Sequence, residues 1–154
     1  MIDLEILPLF GVGPLRLGSD ARAVHDALGV SEHREDRTAD GGVMTDFWLG
    51  GRFQVHYAGD ADRVTLIEIS LDPRVLPRLF SISLFARKVP VLMRQIASYA
   101  RVQMETRDGG IQCICRSLEF ALRRTDPDDA YFSTVSVGAL GYFSSAPRAR
   151  MRGP

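Results

Sequence analysis

The feature that most constrains the fold is a short segment in which apolar and polar residues alternate. Residues 52–57 read Arg-Phe-Gln-Val-His-Tyr, and they follow Gly50-Gly51 and a second apolar and aromatic segment at 44–49. An alternation of period two places apolar side chains on one face of a β-strand and polar side chains on the other. Two glycines between such segments favour a tight hairpin turn. The pattern therefore predicts an antiparallel sheet with one buried and one solvent-facing side.

Most of the remaining chain is also typical of strands, and helical spacing occurs at two places. Residues 20–28 place apolar side chains on one helical face, with Ser19 as an N-cap and Gly29 as a stop. Residues 88–100 form the second such segment, with Pro90 in its first turn. The further predicted strands are residues 64–71, 102–106, 111–116, 118–123, 131–137 and 140–143.

These elements recur in a similar order along the chain. Val89 lies 68 residues after Ala21, at the corresponding position of the second predicted helix. The acidic turn at 126–129 lies 67 residues after the acidic turn at 59–62. Equal spacing favours a duplicated βαβββ unit, although any α+β protein can show such coincidences. We predict an α+β fold in which one antiparallel sheet carries two helices on one face. The predicted parts are a first half at 1–72, a connector at 73–79, a second half at 80–143 and a disordered tail at 144–154.

Charge and composition exclude several classes of protein. The 154 residues include 19 basic and 19 acidic side chains, and this balance argues against a nucleic-acid-coating protein. Arginines 148, 150 and 152 form a small basic tail, for which a solvated terminus is the simpler interpretation. The N-terminus shows no signal peptide, and no apolar run approaches the ~20 residues that span a bilayer. We therefore expect a cytoplasmic protein without a membrane or nucleic-acid partner.

The sequence shows no cofactor or metal site. Cys113 and Cys115 share one strand face, a spacing that suits burial and strains a disulfide. A zinc site needs two further ligands, and the histidines (25, 33 and 56) are unpaired in sequence. The only lysine is Lys88, and no phosphate-binding glycine loop occurs. Packing explains the cysteines, and we expect no cofactor.

His56 and Glu68 are the one pair that suggests catalysis. If residues 52–57 and 64–71 form a hairpin, Gln54 lies opposite Glu68, and His56 shares their face. An imidazole beside a carboxylate can transfer protons. Nothing resembles a nucleophile elbow, so a solvent-facing polar surface is favoured over an active site.

Aromatic residues on the first hairpin suggest a binding surface. Phe47 and Trp48 are consecutive, so they point to opposite sheet faces, and one of them leaves the core unless both faces are covered. An exposed Trp48 beside Arg52 and Asp46 would be a suitable anchor for a protein partner. Core packing on a two-sided sheet is the alternative.

The segment Gly11-Val12-Gly13-Pro14-Leu15-Arg16-Leu17-Gly18-Ser19, with the later Ala27-Leu28-Gly29, resembles the opening of many small uncharacterised bacterial proteins. Some of these are similar to immunity proteins of bacterial toxin systems. The resemblance implies a small bacterial α+β domain and transfers no site residues.

The sequence thus favours a non-enzymatic protein-binding module, of which an immunity protein that blocks a toxin sterically is one form. Two alternatives stay open: a small hydrolase or isomerase that uses His56 and Glu68, and a self-associating homodimer. The expected contact residues for a protein partner are Trp48, Arg52, Gln54, His56 and Glu68.

Overall fold

The fold consists mostly of β-strands in two sheets. The computed structural model describes residues 1–58, 62–107 and 110–144. Parts of the predicted turn at 59–62 and of the predicted tail at 144–154 therefore lie outside the described residues. The prediction of one antiparallel sheet with two helices on one face is wrong, because strands dominate and are divided between two sheets.

The described residues form thirteen strands and two α-helices, in the following chain order. They are β1 (Ile2–Leu7), β2 (Gly11–Val12), β3 (Leu15–Arg16), α1 (Ala21–Leu28), β4 (His33–Asp36), β5 (Met44–Trp48), β6 (Phe53–Ala58), β7 (Arg63–Ser70), β8 (Val75–Leu79), β9 (Ile82–Ser83), α2 (Val89–Ala97), β10 (Gln103–Arg107), β11 (Gly110–Cys115), β12 (Phe120–Arg124) and β13 (Thr134–Gly138). Short 3₁₀ turns lie at Thr38–Asp40 and Leu49–Gly51.

The smaller sheet pairs strands near the N-terminus with strands near the middle of the chain. Its strand order is β3-β2-β1-β8-β9, and β1 pairs in parallel with β8, from Ile2 beside Val75 to Ile6 beside Leu79. The segment predicted as a connector, 73–79, thus contains a strand. β8 gains its stability from a partner strand far away in the sequence, which a local pattern does not reveal.

The larger sheet is antiparallel throughout, with the order β10-β11-β12-β13-β7-β6-β5-β4. Each helix is followed by four strands of this sheet, and the two sets of four meet where β7 pairs with β13. The predicted βαβββ unit is wrong because His33–Asp36 forms an additional strand, β4. This edge strand consists of polar residues and shows no alternation. The predicted strand at 140–143 is a turn instead.

The main core includes side chains from both sheets and both helices. Val24 of α1 and Leu92 of α2 join it together with Ile6, Val55 and Leu122 from the sheets. We call the side of the larger sheet that carries Val55 the inner face. Cys113 and Cys115 are buried free thiols in the same core, and burial raises the pKa of the Cys113 thiol to about 12.

The opposite side of the larger sheet, the outer face, has a second and smaller apolar cluster. Leu66, Ile114 and Ala121 pack there against Phe143, which lies in the turn after β13. Glu119 is 1% exposed and accepts hydrogen bonds from the backbone N–H groups of Gly141 (2.9 Å) and Phe143 (2.6 Å). This turn therefore covers one part of the outer face, and polar side chains of β6, β7 and β13 occupy another part.

Candidate functional site

Gln54, His56 and Glu68, three of the five contact residues predicted from the sequence, lie together on the outer face. The register places Gln54 of β6 opposite Glu68 of β7, as the hairpin pattern predicts. On the other side of β7, Glu68 faces Ser136 of β13. His56 lies two residues after Gln54, on the same face, and is paired with Thr45 of β5. We call the surface formed by Gln54, His56, Glu68 and Ser136 the polar patch.

A continuous chain of hydrogen bonds crosses the polar patch. The Thr45 Oγ1 atom lies 3.0 Å from His56 Nδ1, and His56 Nε2 lies 3.3 Å from Glu68 Oε1. The Ser136 hydroxyl donates to Glu68 Oε2 at 2.7 Å. Thr45 and Ser136 were not identified in the sequence, because a hydroxyl on a strand shows no pattern beyond the alternation itself. The four side chains form one network that spans four neighbouring strands.

Glu68 carries a negative charge within this network. Burial alone would raise the pKa of Glu68, but hydrogen bonds from His56 and Ser136 outweigh burial and hold that pKa below its usual value. Glu68 is therefore an ionised carboxylate at neutral pH, and both of its oxygens accept hydrogen bonds.

The same network is poorly arranged for nucleophilic catalysis. A hydroxyl, an imidazole and a carboxylate follow one another in the order of a catalytic triad. However, Thr45 is only 6% exposed, so its hydroxyl is shielded from a substrate. Both nitrogens of His56 are also engaged, one by Thr45 and one by Glu68. The hydrogen bonds therefore orient the polar side chains of this surface but do not present an accessible, activated nucleophile.

Arg52 and Gln54 extend the polar surface toward one end of β6. Arg52 is exposed, and its guanidinium donates to the Leu71 carbonyl oxygen at 3.1 Å. The Gln54 side-chain amide donates to the Gly51 carbonyl oxygen at 3.0 Å. Both side chains are thus oriented by bonds to backbone atoms.

Trp48 does not belong to this surface. It is 7% exposed and lies in the main core, where its indole N–H donates to the Gly29 carbonyl oxygen at 3.3 Å. The ring also packs edge-on against Phe53, with 6.2 Å between ring centroids. Trp48 is therefore not an exposed anchor for a partner. Of the consecutive residues Phe47 and Trp48, Phe47 is the partly exposed one. Its ring centroid lies 5.6 Å from that of His33.

Behind the polar patch lies a buried carboxylate that the sequence analysis did not single out as a site. Asp46 is 0% exposed and points to the inner face of β5. The Arg34 guanidinium donates to both of its oxygens, at 2.7 and 2.8 Å. His25 lies at 2.8 Å, and the hydroxyls of Ser31 and Tyr57 each lie at 2.9 Å. Asp46 thereby ties α1, β4 and β6 to β5.

The electrostatics of Asp46 and Tyr57 follow from this arrangement. Burial would raise the pKa of Asp46, but the hydrogen bonds from Arg34, His25 and Tyr57 hold it well below its usual range. Burial raises the pKa of Tyr57, and the hydrogen bond to Asp46 raises it further. Both groups therefore keep one protonation state near neutral pH, which suits a structural role.

The described part of the chain shows neither a metal-binding cluster nor a membrane-spanning helix. Within residues 1–58, 62–107 and 110–144, no three or more His, Cys, Asp or Glu side chains are grouped to hold a metal ion. Neither α-helix of these ranges has the length and apolar character needed to cross a bilayer. Comparisons of the chain with protein-family models, curated proteins and solved structures found no match.

Proposed function

We propose that this chain is a non-enzymatic protein-binding module, which uses the polar patch and Arg52 to cover a partner's surface sterically. The observation that supports this proposal is the network from Thr45 to Ser136, which orients polar side chains before any partner arrives. Side chains that are already ordered lose less conformational entropy on binding. A rigid polar sheet face is thus well suited to recognition.

The proposed partner class is a bacterial toxin. Support for it is the resemblance of residues 11–29 to the opening of proteins similar to toxin-immunity proteins. In the structure this segment forms β2, β3 and α1. We further propose that the module acts in the cytoplasm, since its two free buried thiols, Cys113 and Cys115, suit a reducing compartment.

A small hydrolase or isomerase is the second candidate function. The observation that favours it is the spatial order of Thr45, His56 and Glu68. The Thr45 Oγ1 atom lies 3.0 Å from His56 Nδ1, and His56 Nε2 lies 3.3 Å from Glu68 Oε1. Its test is the substitution His56→Ala, which would abolish a detected activity if the imidazole transfers the proton. An activity that survives His56→Ala unchanged would exclude this assignment.

The binding proposal is tested with two charge-changing variants of the surface and one matched control. Arg52→Glu and Gln54→Arg alter the proposed contact surface, whereas Arg22→Glu alters an exposed side chain on α1. Each tagged variant is used to capture proteins from lysate of the native cells, and any stoichiometric partner is purified and titrated. We expect Arg22→Glu to bind like the wild type and the other two to bind at least about tenfold more weakly.

Two outcomes would contradict the proposal. Equal affinity of a purified partner for all three variants would show that the partner binds elsewhere. Capture of no partner from cells that express the protein would remove the support for a binding module. Thermal unfolding of each variant, compared with the wild type, verifies that a loss of binding is not a loss of fold.

A further inference from the structure

The larger sheet has two edge strands, β4 and β10, and of these β10 carries an exposed apolar side chain. At one edge, β4 consists of four polar or charged residues, His33–Asp36. At the other edge, β10 (Gln103–Arg107) carries Met104, which is 46% exposed, and an exposed Thr106. Among the described residues, the backbone of β10 is paired only with β11. Alternate N–H and C=O groups of an edge strand point outward and can pair with another strand.

A cavity of about 300 Å³ opens at the N-terminal end of this edge strand. Its lining residues are Arg101, Gln103, Ile114, Arg116 and Ser117. The Arg116 guanidinium is held in place, since it donates to the side-chain oxygen of Gln103 and, at 2.8 Å, to Glu105. Ile114 is 1% exposed and forms the apolar floor.

The donors in this cavity suit a single carboxylate. Glu105 offsets the charge of Arg116, whereas exposed Arg101 has no ion pair among the described residues, so one positive charge remains uncompensated. Because the Gln103 side-chain oxygen accepts from Arg116, its NH₂ group is left to donate. Guanidinium groups match the planar geometry of a carboxylate.

The edge strand and the cavity are placed to bind the two parts of one ligand. A peptide that pairs antiparallel with β10 has its C-terminus beside Gln103, where the cavity lies. A peptide that pairs in parallel would bring its N-terminal ammonium there, and the arginines would repel it. We propose that β10 binds an extended peptide as an added strand, with the free C-terminal carboxylate of that peptide held by Arg101 and Arg116.

This site lies at the edge of the sheet away from β5 and β6, and it does not rest on the function proposed for the polar patch. Its test uses a library of hexapeptides immobilised by their N-termini, made once with free C-terminal carboxylates and once with C-terminal amides. We expect the protein to bind members of the first set and to bind their amides at least about tenfold more weakly.

The strongest peptide is then made with backbone N-methyl groups at even or at odd positions. Only one of these two series should retain binding, because only alternate N–H groups face the edge strand.

Variants of the protein test the carboxylate contacts. Arg101→Gln and Arg116→Gln should each weaken binding of the carboxylate peptide, and Arg94→Gln on an exposed position of α2 should not. Arg101 makes no hydrogen bond with the described residues, so its replacement leaves the packing of β10 intact even if Arg116→Gln loosens that strand.

Four results would overturn the proposal. Equal binding of carboxylates and amides would exclude carboxylate recognition, and equal binding of both N-methylated series would exclude strand addition. Failure of every library member to bind at millimolar concentration would exclude the site. Sodium acetate serves as a probe for a simple anion site, and competition by acetate as strong as that by the peptide would also contradict strand addition.

Discussion

Asp46 and Glu68 are two carboxylates on opposite faces of the same sheet, and each lies beside a histidine. Asp46 is fully buried on the inner face and receives contacts from Arg34, His25, Ser31 and Tyr57. The side chain of Glu68 is 30% exposed on the outer face, and the hydrogen bonds found for it come from His56 and Ser136.

In this fold, burial decides what a carboxylate can do. A charge without water must be compensated by the protein, so the inner carboxylate gathers partners from several elements. A partly hydrated carboxylate needs fewer partners and keeps one side available to solvent. Asp46 therefore stabilises the fold, whereas Glu68 is suited to a recognition surface.

The largest expected effect comes from removal of the inner carboxylate. Asp46→Ala leaves the Arg34 guanidinium and the buried Tyr57 hydroxyl without their acceptor, and we expect a loss of about 3–5 kcal/mol in the free energy of unfolding. Urea unfolding at pH 7 measures this loss. The control is Asp26→Ala at an exposed position of α1, with a change within about 0.5 kcal/mol. Similar losses for the two variants would show that Asp46 is not the centre of a structural network.

The second prediction concerns the stability of the protein at acidic pH. The pKa of Asp46 is lowered by folding from an unfolded value of about 3.9, so its contribution is complete above that pH and is lost as the pH falls toward the folded value. We expect the stability difference between wild type and Asp46→Asn to shrink steadily below about pH 4. Measuring that difference by urea unfolding cancels the contributions of other acidic residues. A difference that stays constant between pH 5 and pH 2.5 would contradict the assignment.

The smallest effect is expected at the outer carboxylate. Glu68→Gln retains an oxygen that can accept from Ser136 or His56 but removes the charge, so we expect a loss of about 1 kcal/mol. The pKa of Glu68 is also lowered by folding, so this loss has the same direction of pH dependence as that at Asp46. Urea unfolding at pH 7 again provides the measurement. A loss as large as that for Asp46→Ala would remove the distinction between the two faces.

Several features of the candidate site follow from local patterns. The alternation at 52–57 predicts which side chains of β6 share a face, and the adjacent strand places Gln54 opposite Glu68. The two helical segments are found at Ala21–Leu28 and Val89–Ala97, close to their predicted bounds. In these cases the local period contains the information, so no distant contact is needed. The N-cap of α1 is Asp20, whose carboxylate accepts from the Ala23 N–H, so the prediction of Ser19 as the N-cap is wrong.

Other features could not be predicted because they depend on distant partners. Phe47 and Trp48 had to face opposite sides, but only the packing of Phe53 and Gly29 around the indole shows that Trp48 is the buried one. β4 shows no apolar alternation, because an edge strand of charged residues can leave both faces in water.

The sequence alone determined where both helices and seven of the eight strands of the larger sheet lie, and which side chains of a strand share a face, since these properties depend on residues a few positions apart. The tertiary structure decided which strands form each sheet, as in the parallel pairing of β1 with β8. It also decided that Asp46 is buried, because its partners come from α1, β4 and β6. Burial of a charge is stable only when distant donors meet it, and that meeting is a property of the whole fold.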